Sequence, residues 1–265
     1  MAISPFTATS RPSWTPSPSP SPSFPPGPLI AIDAGHGGVD LGAVHLDDAG
    51  RLDLTESEVN LAIALELQTL LLERGYRVYM VRDGDYSLNE EEGRDVNDNG
   101  LVDFVDEAQA RVDAVNKAGV DLLLSIHQNA FYRRDGSPAE DVGGTVTYYC
   151  ADRPFSADSL RFAEQVQEKL VAALRELGHD VHDRGVQDDL VLQVPGEPGS
   201  HLILLGPQTE RIVRPSEMPG VLSETLFITH RGEVALLKDG RALRRLALAY
   251  AEAIDAYFST ANDSS

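Results

Sequence analysis

Cysteine is nearly absent from this sequence: Cys150 is the only one among 265 residues. No internal disulfide can form, so stability must come from a buried core, with bound metals as the other available staple. Basic residues are also scarce, with 22 Lys and Arg against 42 Asp and Glu and a formal net charge of -20. Such a surface repels nucleic acid and anionic lipid, and it disfavours binding to a phosphate backbone. Long apolar runs are missing as well. No stretch approaches the roughly 18 consecutive apolar residues of a membrane span. Met1 to Ser10 has no apolar signal-peptide core, so export would need a leader outside this sequence or another route.

What is present is a hydrophobic fraction of 42%, enough for one sizeable core. The alternating Pro and Ser of residues 11–27 cannot bury a core, so 1–27 is read as an extended tail or linker. From residue 28 short apolar runs alternate with helical periodicity. Leu29-Ile-Ala-Ile32, Arg77–Val81, Asp121–Ile126, Thr145–Cys150 and a late strand from Val221 read as strands. Residues 56–74, 106–118, 157–177 and 240–258 read as helices. The alternation predicts an α/β fold: a mostly parallel twisted sheet with helices on both faces, in one domain over 28–260. Residues 261–265 are left as a C-terminal tail. About 90–106 (acidic, Asn-rich) and 183–219 (Gly- and Pro-rich) are read as inserted loops.

The chemistry gathers at element ends. Asp33-Ala-Gly35-His36-Gly-Gly38 places a histidine between glycines at the end of the first strand. Either this is a tight turn with an incidental histidine, or it presents an imidazole where open α/β sheets bind ligands. Leu124-Ser-Ile-His127-Gln-Asn129 repeats the arrangement on another strand. In Thr55-Glu56-Ser-Glu58-Val, Thr55 and Glu58 fit a capping box. Glu56 is then either an acid favoured by the helix dipole or a metal ligand. Glu224 follows the apolar Val221-Leu222 and needs either solvent or a charge to face. His36, Glu56 and His127 make a His2Glu set that leaves zinc an open position, and Glu224 can act as general base and acid beside it.

Taken in order, several motifs resemble the zinc-dependent N-acetylmuramoyl-L-alanine amidase family. They are Asp33-x-Gly-His36-Gly-Gly, Glu56-x-x-Val-Asn60-Leu, Arg111-x4-Asn116, Ser125-Ile-His127-x-Asn129-Ala and Val221-Leu-x-Glu224-Thr-x-Phe227-Ile. The resemblance covers about residues 28–260. It implies hydrolysis of the amide between N-acetylmuramic acid and L-alanine in peptidoglycan. It also implies zinc on His36, Glu56 and His127, catalysis by Glu224, substrate contact at Asn129, and work outside the cell or in its envelope. Ala34, Leu226 and His230 depart from the family pattern without removing a ligand. Two rival readings are a zinc metallopeptidase or amidohydrolase acting on another amide, and a non-catalytic wall-binding module.

The acidic insertion has a pattern of its own. Asp95, Asn97, Asn99, Gly100, Leu101 and Asp106 follow the spacing of an EF-hand loop, with Asp at the twelfth position as in dockerin-type loops. This gives an expectation of a structural calcium ion, against that of a plain acidic turn. His179 and His182 lie in a Gly/Asp-rich turn and read as incidental, and His45, His201 and His230 show no evident partner. Cys150, at a strand end with no paired base nearby in sequence, reads as a small buried residue.

Overall fold

The computed structural model describes residues 27–89, 93–191 and 200–262. Almost all of the expected N-terminal tail, the last three residues, the start of the expected 90–106 insertion and the middle of the expected 183–219 insertion lie outside them. In chain order the first elements are β1 (Leu29–Ala34), β2 (Val44–Leu46), β3 (Leu52–Thr55), α1 (Glu56–Glu73), β4 (Arg77–Met80) and α2 (Phe104–Ala118). They are followed by β5 (Leu122–Asn129), β6 (Thr145–Tyr149), α3 (Ser156–Glu176), β7 (Asp183–Asp188), β8 (Gly220–Phe227), α4 (Arg231–Leu237) and α5 (Gly240–Asn262).

Six strands form one sheet in the order β4-β1-β5-β8-β6-β7. The first four run parallel; β6 is antiparallel to β8 and parallel to β7. This is the mostly parallel α/β sheet expected. Alternation along each strand divides the core in two. Ile30, Ile32 and Ala34 of β1 and Leu122, Leu124 and Ile126 of β5 pack with α1, α3 and α5. Ala31 and Leu123 face the other way, onto Val115 of α2, and Leu222 of β8 meets Val105 and Val112. Helices therefore cover both faces. The chain leaves β1 for β4 over one face and reaches β5 over the other, so neighbouring strand ends open a crevice at the carboxyl edge of β1 and β5.

Three boundaries differ from the sequence reading. The expected 183–219 insertion begins with strand β7, whose residues Asp-Arg-Gly-Val-Gln-Asp lie at the sheet edge. Edge strands are commonly polar, so no apolar alternation marks this one. The acidic insertion ends earlier than residue 106, because Asp103 caps α2 and Phe104 is already helical. At the C-terminus α5 runs on to Asn262, into the expected tail. The structure also adds a β2–β3 hairpin that the sequence reading lacks; it leads directly into α1.

Candidate active site

His36, Glu56 and His127 come from three separate elements and meet at the carboxyl edge of the sheet. Their ligand atoms all lie within 4.8 Å of one another. His36 follows β1 and holds a left-handed backbone, with φ 63°. Such a conformation is uncommon outside glycine and tends to persist where surrounding structure enforces it. The enforcement here comes from two buried arginines. Arg111 donates from Nη2 to the His36 carbonyl at 2.7 Å and from Nη1 to the Ala34 carbonyl at 2.9 Å. Arg82, fully buried, donates from Nε to the Ala34 carbonyl at 2.7 Å and from Nη2 to the carbonyls of Gly35 (3.0 Å) and Ser57 (2.8 Å). The end of β1 is thus tied to the first turn of α1.

Glu56 is placed by the capping box read in the sequence. The Thr55 hydroxyl accepts from the Glu58 amide at 3.2 Å, and Glu58 Oε2 accepts from the Thr55 amide at 3.1 Å. With Glu58 so occupied, Glu56 turns inward and is buried. Its Oε1 lies 3.1 Å from His36 Nε2 and 3.0 Å from His127 Nδ1, and it accepts from the Gln128 amide at 3.0 Å. Its Oε2 accepts from the Ala43 amide at 2.9 Å. Gly35 and Gly42 permit this closeness. A Cβ on Gly35 would stand 2.1 Å from the His127 ring, and one on Gly42 would stand 2.6 Å from Glu56 Oε2.

Electrostatics follow from the crowding. Burial works to raise the Glu56 carboxyl, but the two imidazoles outweigh it and hold the group well below the usual carboxylate range. Burial works against charge on His36, yet Asp40 and Glu56 overcome it and push its pKa up to about 10. The Asp40 contact, 2.8 Å from Oδ2 to His36 Nδ1, fixes the ring from its far side.

Glu224 sits beside this trio. It pairs in register with His127 across β5 and β8, and the register shifts just beyond, between His127 and Asn129. Irregularities of this kind often re-aim a side chain next to an active site. Its Oε2 is buried with no hydrogen-bond partner. Burial pushes its pKa up to about 7, with Glu56 adding to the rise and the histidines opposing it. A carboxyl with one buried, unpaired oxygen, poised near neutrality, is suited to proton transfer.

The other residues read from the sequence make hydrogen bonds of their own. Asn129 stands at the end of β5, where its Oδ1 accepts from the Ala130 amide at 2.8 Å. Asp95 accepts from the amides of Asn99 (2.9 Å) and Gly100 (2.6 Å), Asn97 from Asn99 (3.1 Å), and Asn99 from Leu101 (2.8 Å). Asp106 is fully buried and accepts from the amides of Val96 (2.7 Å), Asn97 (3.2 Å) and Asp103 (2.8 Å), so it caps α2. His179 contacts the buried Glu233 at 3.2 Å, and His45 pairs with Asp53 at 2.6 Å. Arg82 is absent from the sequence reading, because an arginine followed by Asp83-Gly84 reads as the start of a turn.

The donor chemistry fits a zinc ion. Tetrahedral zinc with bonds of about 2.0–2.2 Å to N and O spaces its ligands roughly 3.3 Å apart, close to the 3.0 and 3.1 Å seen around Glu56 Oε1. The carboxylate on the outer nitrogen of His36 is a common support for a metal-bound histidine.

Comparison with known proteins agrees with this geometry. The family model described as N-acetylmuramoyl-L-alanine amidase matches residues 30–256. LytC of Bacillus subtilis, an N-acetylmuramoyl-L-alanine amidase, is 33% identical over 215 residues, which is 80% of this chain but 32% of LytC. AmiA of Escherichia coli is 27% identical over 251 residues, covering 87% of this chain and 76% of AmiA. Among solved structures, the CwlD amidase of Clostridioides difficile, in complex with the GerS lipoprotein, superposes with a TM-score of 0.65 at 25% identity. That match covers 88% of this chain and all of CwlD, 100%. AmiC2 of Nostoc punctiforme shares the fold at a TM-score of 0.61 and 24% identity, covering 87% of this chain and 97% of AmiC2. With the match spanning all but the first residue of the sheet and the site at its edge, this chain belongs to the N-acetylmuramoyl-L-alanine amidases, enzymes that hydrolyse an amide bond of peptidoglycan.

Proposed function

We propose that the chain is a zinc-dependent amidase that separates the lactyl group of N-acetylmuramic acid from L-alanine, with His36, Glu56 and His127 holding the metal and Glu224 moving the proton. The observation that carries this reading is the buried, unpartnered Glu224 Oε2 beside three converging ligand atoms. Zinc, when bound, supplies a Lewis acid for the scissile carbonyl and lowers the pKa of water at the site. The protein's part is positioning and proton transfer. Glu224 takes a proton from the attacking water as oxygen adds to the carbonyl carbon. It then delivers that proton to the departing alanine nitrogen as the C–N bond breaks. Glu56, locked by the Gln128 and Ala43 amides, cannot swing to share this task.

A neighbouring groove of about 510 Å³, lined by Val44, Leu46, Tyr132, Pro138, Thr229 and Arg231 among others, is offered as the path of the wall polymer. Its lining residue Val44 is next in the chain to Ala43, whose amide binds Glu56. Asn129 is proposed as a substrate contact on the same edge. Among the described residues no helix is long and apolar enough to cross a membrane. Action on the wall implies work outside the cytoplasm.

Chelation is expected to abolish release of alanine amino termini from purified peptidoglycan, read by mass spectrometry, and added zinc to restore it. Full hydrolysis by metal-free protein would overturn the proposal. Digests showing cleavage at another amide would move it to a different substrate.

The acidic loop carries a subsidiary proposal, a structural calcium ion on Asp95, Asn97, Asn99, Leu101 and Asp106. Its support is the spacing, with Gly100 left-handed at φ 85° at the sixth position. Asp106 already caps α2, so the ion would share an occupied carboxylate and bind with modest strength. Millimolar calcium is expected to raise the melting temperature of the zinc-loaded protein and to leave Asp95→Ala unchanged. A hundredfold excess over Kd corresponds to about 2.7 kcal/mol. Identical melting curves would leave the loop as a helix-capping turn.

A further inference from the structure

Cys150, Asp189 and His201 lie far from the amidase centre, and no step of the hydrolysis uses them. β6 and β7 pair in parallel through Tyr149 and Asp188, so the next residue of each strand, Cys150 and Asp189, emerge side by side. β6 runs antiparallel to β8, which puts this edge at the end of the sheet opposite Glu224. His201 enters from the segment after residue 200. There its own neighbour fixes it, because the Leu202 amide donates to Asp189 Oδ2 at 3.0 Å. A tight turn follows, with the Leu205 and Gly206 amides donating to the Leu202 carbonyl at 3.0 and 2.8 Å. A Cβ on Gly206 would stand 2.3 Å from the Cβ of His201, so glycine lets the turn close on the imidazole.

Three different donor types converge here. His201 Nδ1 lies 3.4 Å from Cys150 Sγ and 2.8 Å from Asp189 Oδ1, and all three ligand atoms fall within 4.8 Å of one another. Cys150 is 2% exposed, Asp189 0% and the His201 side chain 10%. Among the described residues no Lys or Arg forms an ion pair with Asp189, so a buried carboxylate has only an imidazole to answer its charge. The outer nitrogen of His201, Nε2, faces Asp152 Oδ2 at 3.5 Å. Carboxylate support on the far nitrogen is the same device that orients His36 through Asp40.

We propose that Cys150, Asp189 and His201 form a second metal site, suited to zinc, at the edge of the sheet opposite the amidase centre. One thiolate, one imidazole and one carboxylate match zinc in donor softness better than calcium or magnesium, which take oxygen. Zinc bonds of about 2.3 Å to sulfur and 2.0–2.2 Å to nitrogen and oxygen set ligand separations of roughly 3.3–3.6 Å. The sulfur–nitrogen pair is already there, and the His201–Asp189 pair needs to open by only a few tenths of an ångström. The metal would staple the ends of β6 and β7 to the segment carrying Ile203, Leu204 and Leu205, which packs on Val146 and Leu222. Its role is structural, and it stands independently of the chemistry proposed for Glu224.

The sole thiol gives the site a private signal, since His36, Glu56 and His127 include no sulfur. The full chain, stripped of metal, is titrated with cobalt(II) and followed by absorption. We expect two equivalents per chain, one of them bringing a thiolate-to-cobalt charge-transfer band in the near ultraviolet. Zinc should displace the band and slow alkylation of Cys150. Cys150→Ala should bind one equivalent without the band and still hydrolyse peptidoglycan. His201→Ala, which keeps the thiol, should lose or strongly weaken the band and serves if the first variant fails to fold. Absence of the band in the wild-type chain, at either stoichiometry, overturns the site. So does a band that persists unchanged in His201→Ala. Failure of hydrolysis with the band intact would count against the amidase proposal alone.

Discussion

Glu224→Gln is expected to lower peptidoglycan hydrolysis by about 10²–10⁴-fold, the usual contribution of a general acid–base group, while metal content at the His36, Glu56 and His127 set stays unchanged. The substitution keeps volume and a hydrogen-bonding head, so it isolates the proton. The buried Oε2 has no partner to lose, which removes the common objection that a catalytic variant merely breaks a structural contact. Stability should hold or rise slightly, because a neutral amide replaces an ionisable group that burial has pushed up to about 7. Steady-state turnover on soluble muropeptide, paired with metal analysis of the same preparation, gives the test. Near-normal turnover would remove Glu224 from the mechanism, and loss of metal would recast it as a support for the ligand set. Glu58→Gln serves as the comparison, because Glu58 binds the Thr55 amide and hydroxyl and should cost helix stability with little effect on turnover.

The parts of this centre that were legible in the sequence share a physical property: each sits where an apolar run stops. His36 just after β1 and His127 near the end of β5 follow fully buried apolar runs, and the carboxyl ends of parallel strands fall on one edge. Glu56 was separable from Glu58 because capping geometry leaves work for only one of them. What was not legible depends on contacts between distant residues. Arg82 gains its meaning only when β4 lies beside β1, where its guanidinium meets the backbone carbonyls of Ala34, Gly35 and Ser57 as well as that of its near neighbour Gly84. The reversal of β6 is set by its pairing with β8, not by its own residues. β7 carries no hydrophobic pattern because it occupies an edge. The Cys150–His201 contact joins residues 51 apart, with α3 and β7 between them, so neither residue showed a partner in sequence.

Loss of the charge on Asp33 is expected to give the largest effect on stability. Asp33 is buried within β1, where its Oδ1 accepts from Arg111 Nη1 at 2.8 Å and its Oδ2 accepts from the Ser125 hydroxyl at 2.7 Å. Burial works to raise this carboxyl, but the Arg111 charge and the two hydrogen bonds outweigh it and hold the group below its ordinary value. A carboxyl whose folded pKa lies below its unfolded value, about 3.9 for aspartate, stabilises the fold fully above that value. The contribution fades as pH falls from the unfolded towards the folded pKa, where both states become protonated. Asp33→Asn should therefore cost about 3–5 kcal/mol near neutrality, the range for breaking one side of a buried ion pair. The deficit should shrink as both proteins are taken below about pH 4. The variant also loosens Arg111, which holds the carbonyls of Ala34 and His36, so metal affinity should fall along with stability. Denaturant melts of the two proteins at several pH values, with a metal titration at neutral pH, check both outcomes. A stability difference independent of pH would show that the substitution acts through lost shape rather than lost charge. An unchanged metal affinity would show that Glu107, which also binds Arg111 at 2.7 Å, suffices to hold the guanidinium against the His36 carbonyl.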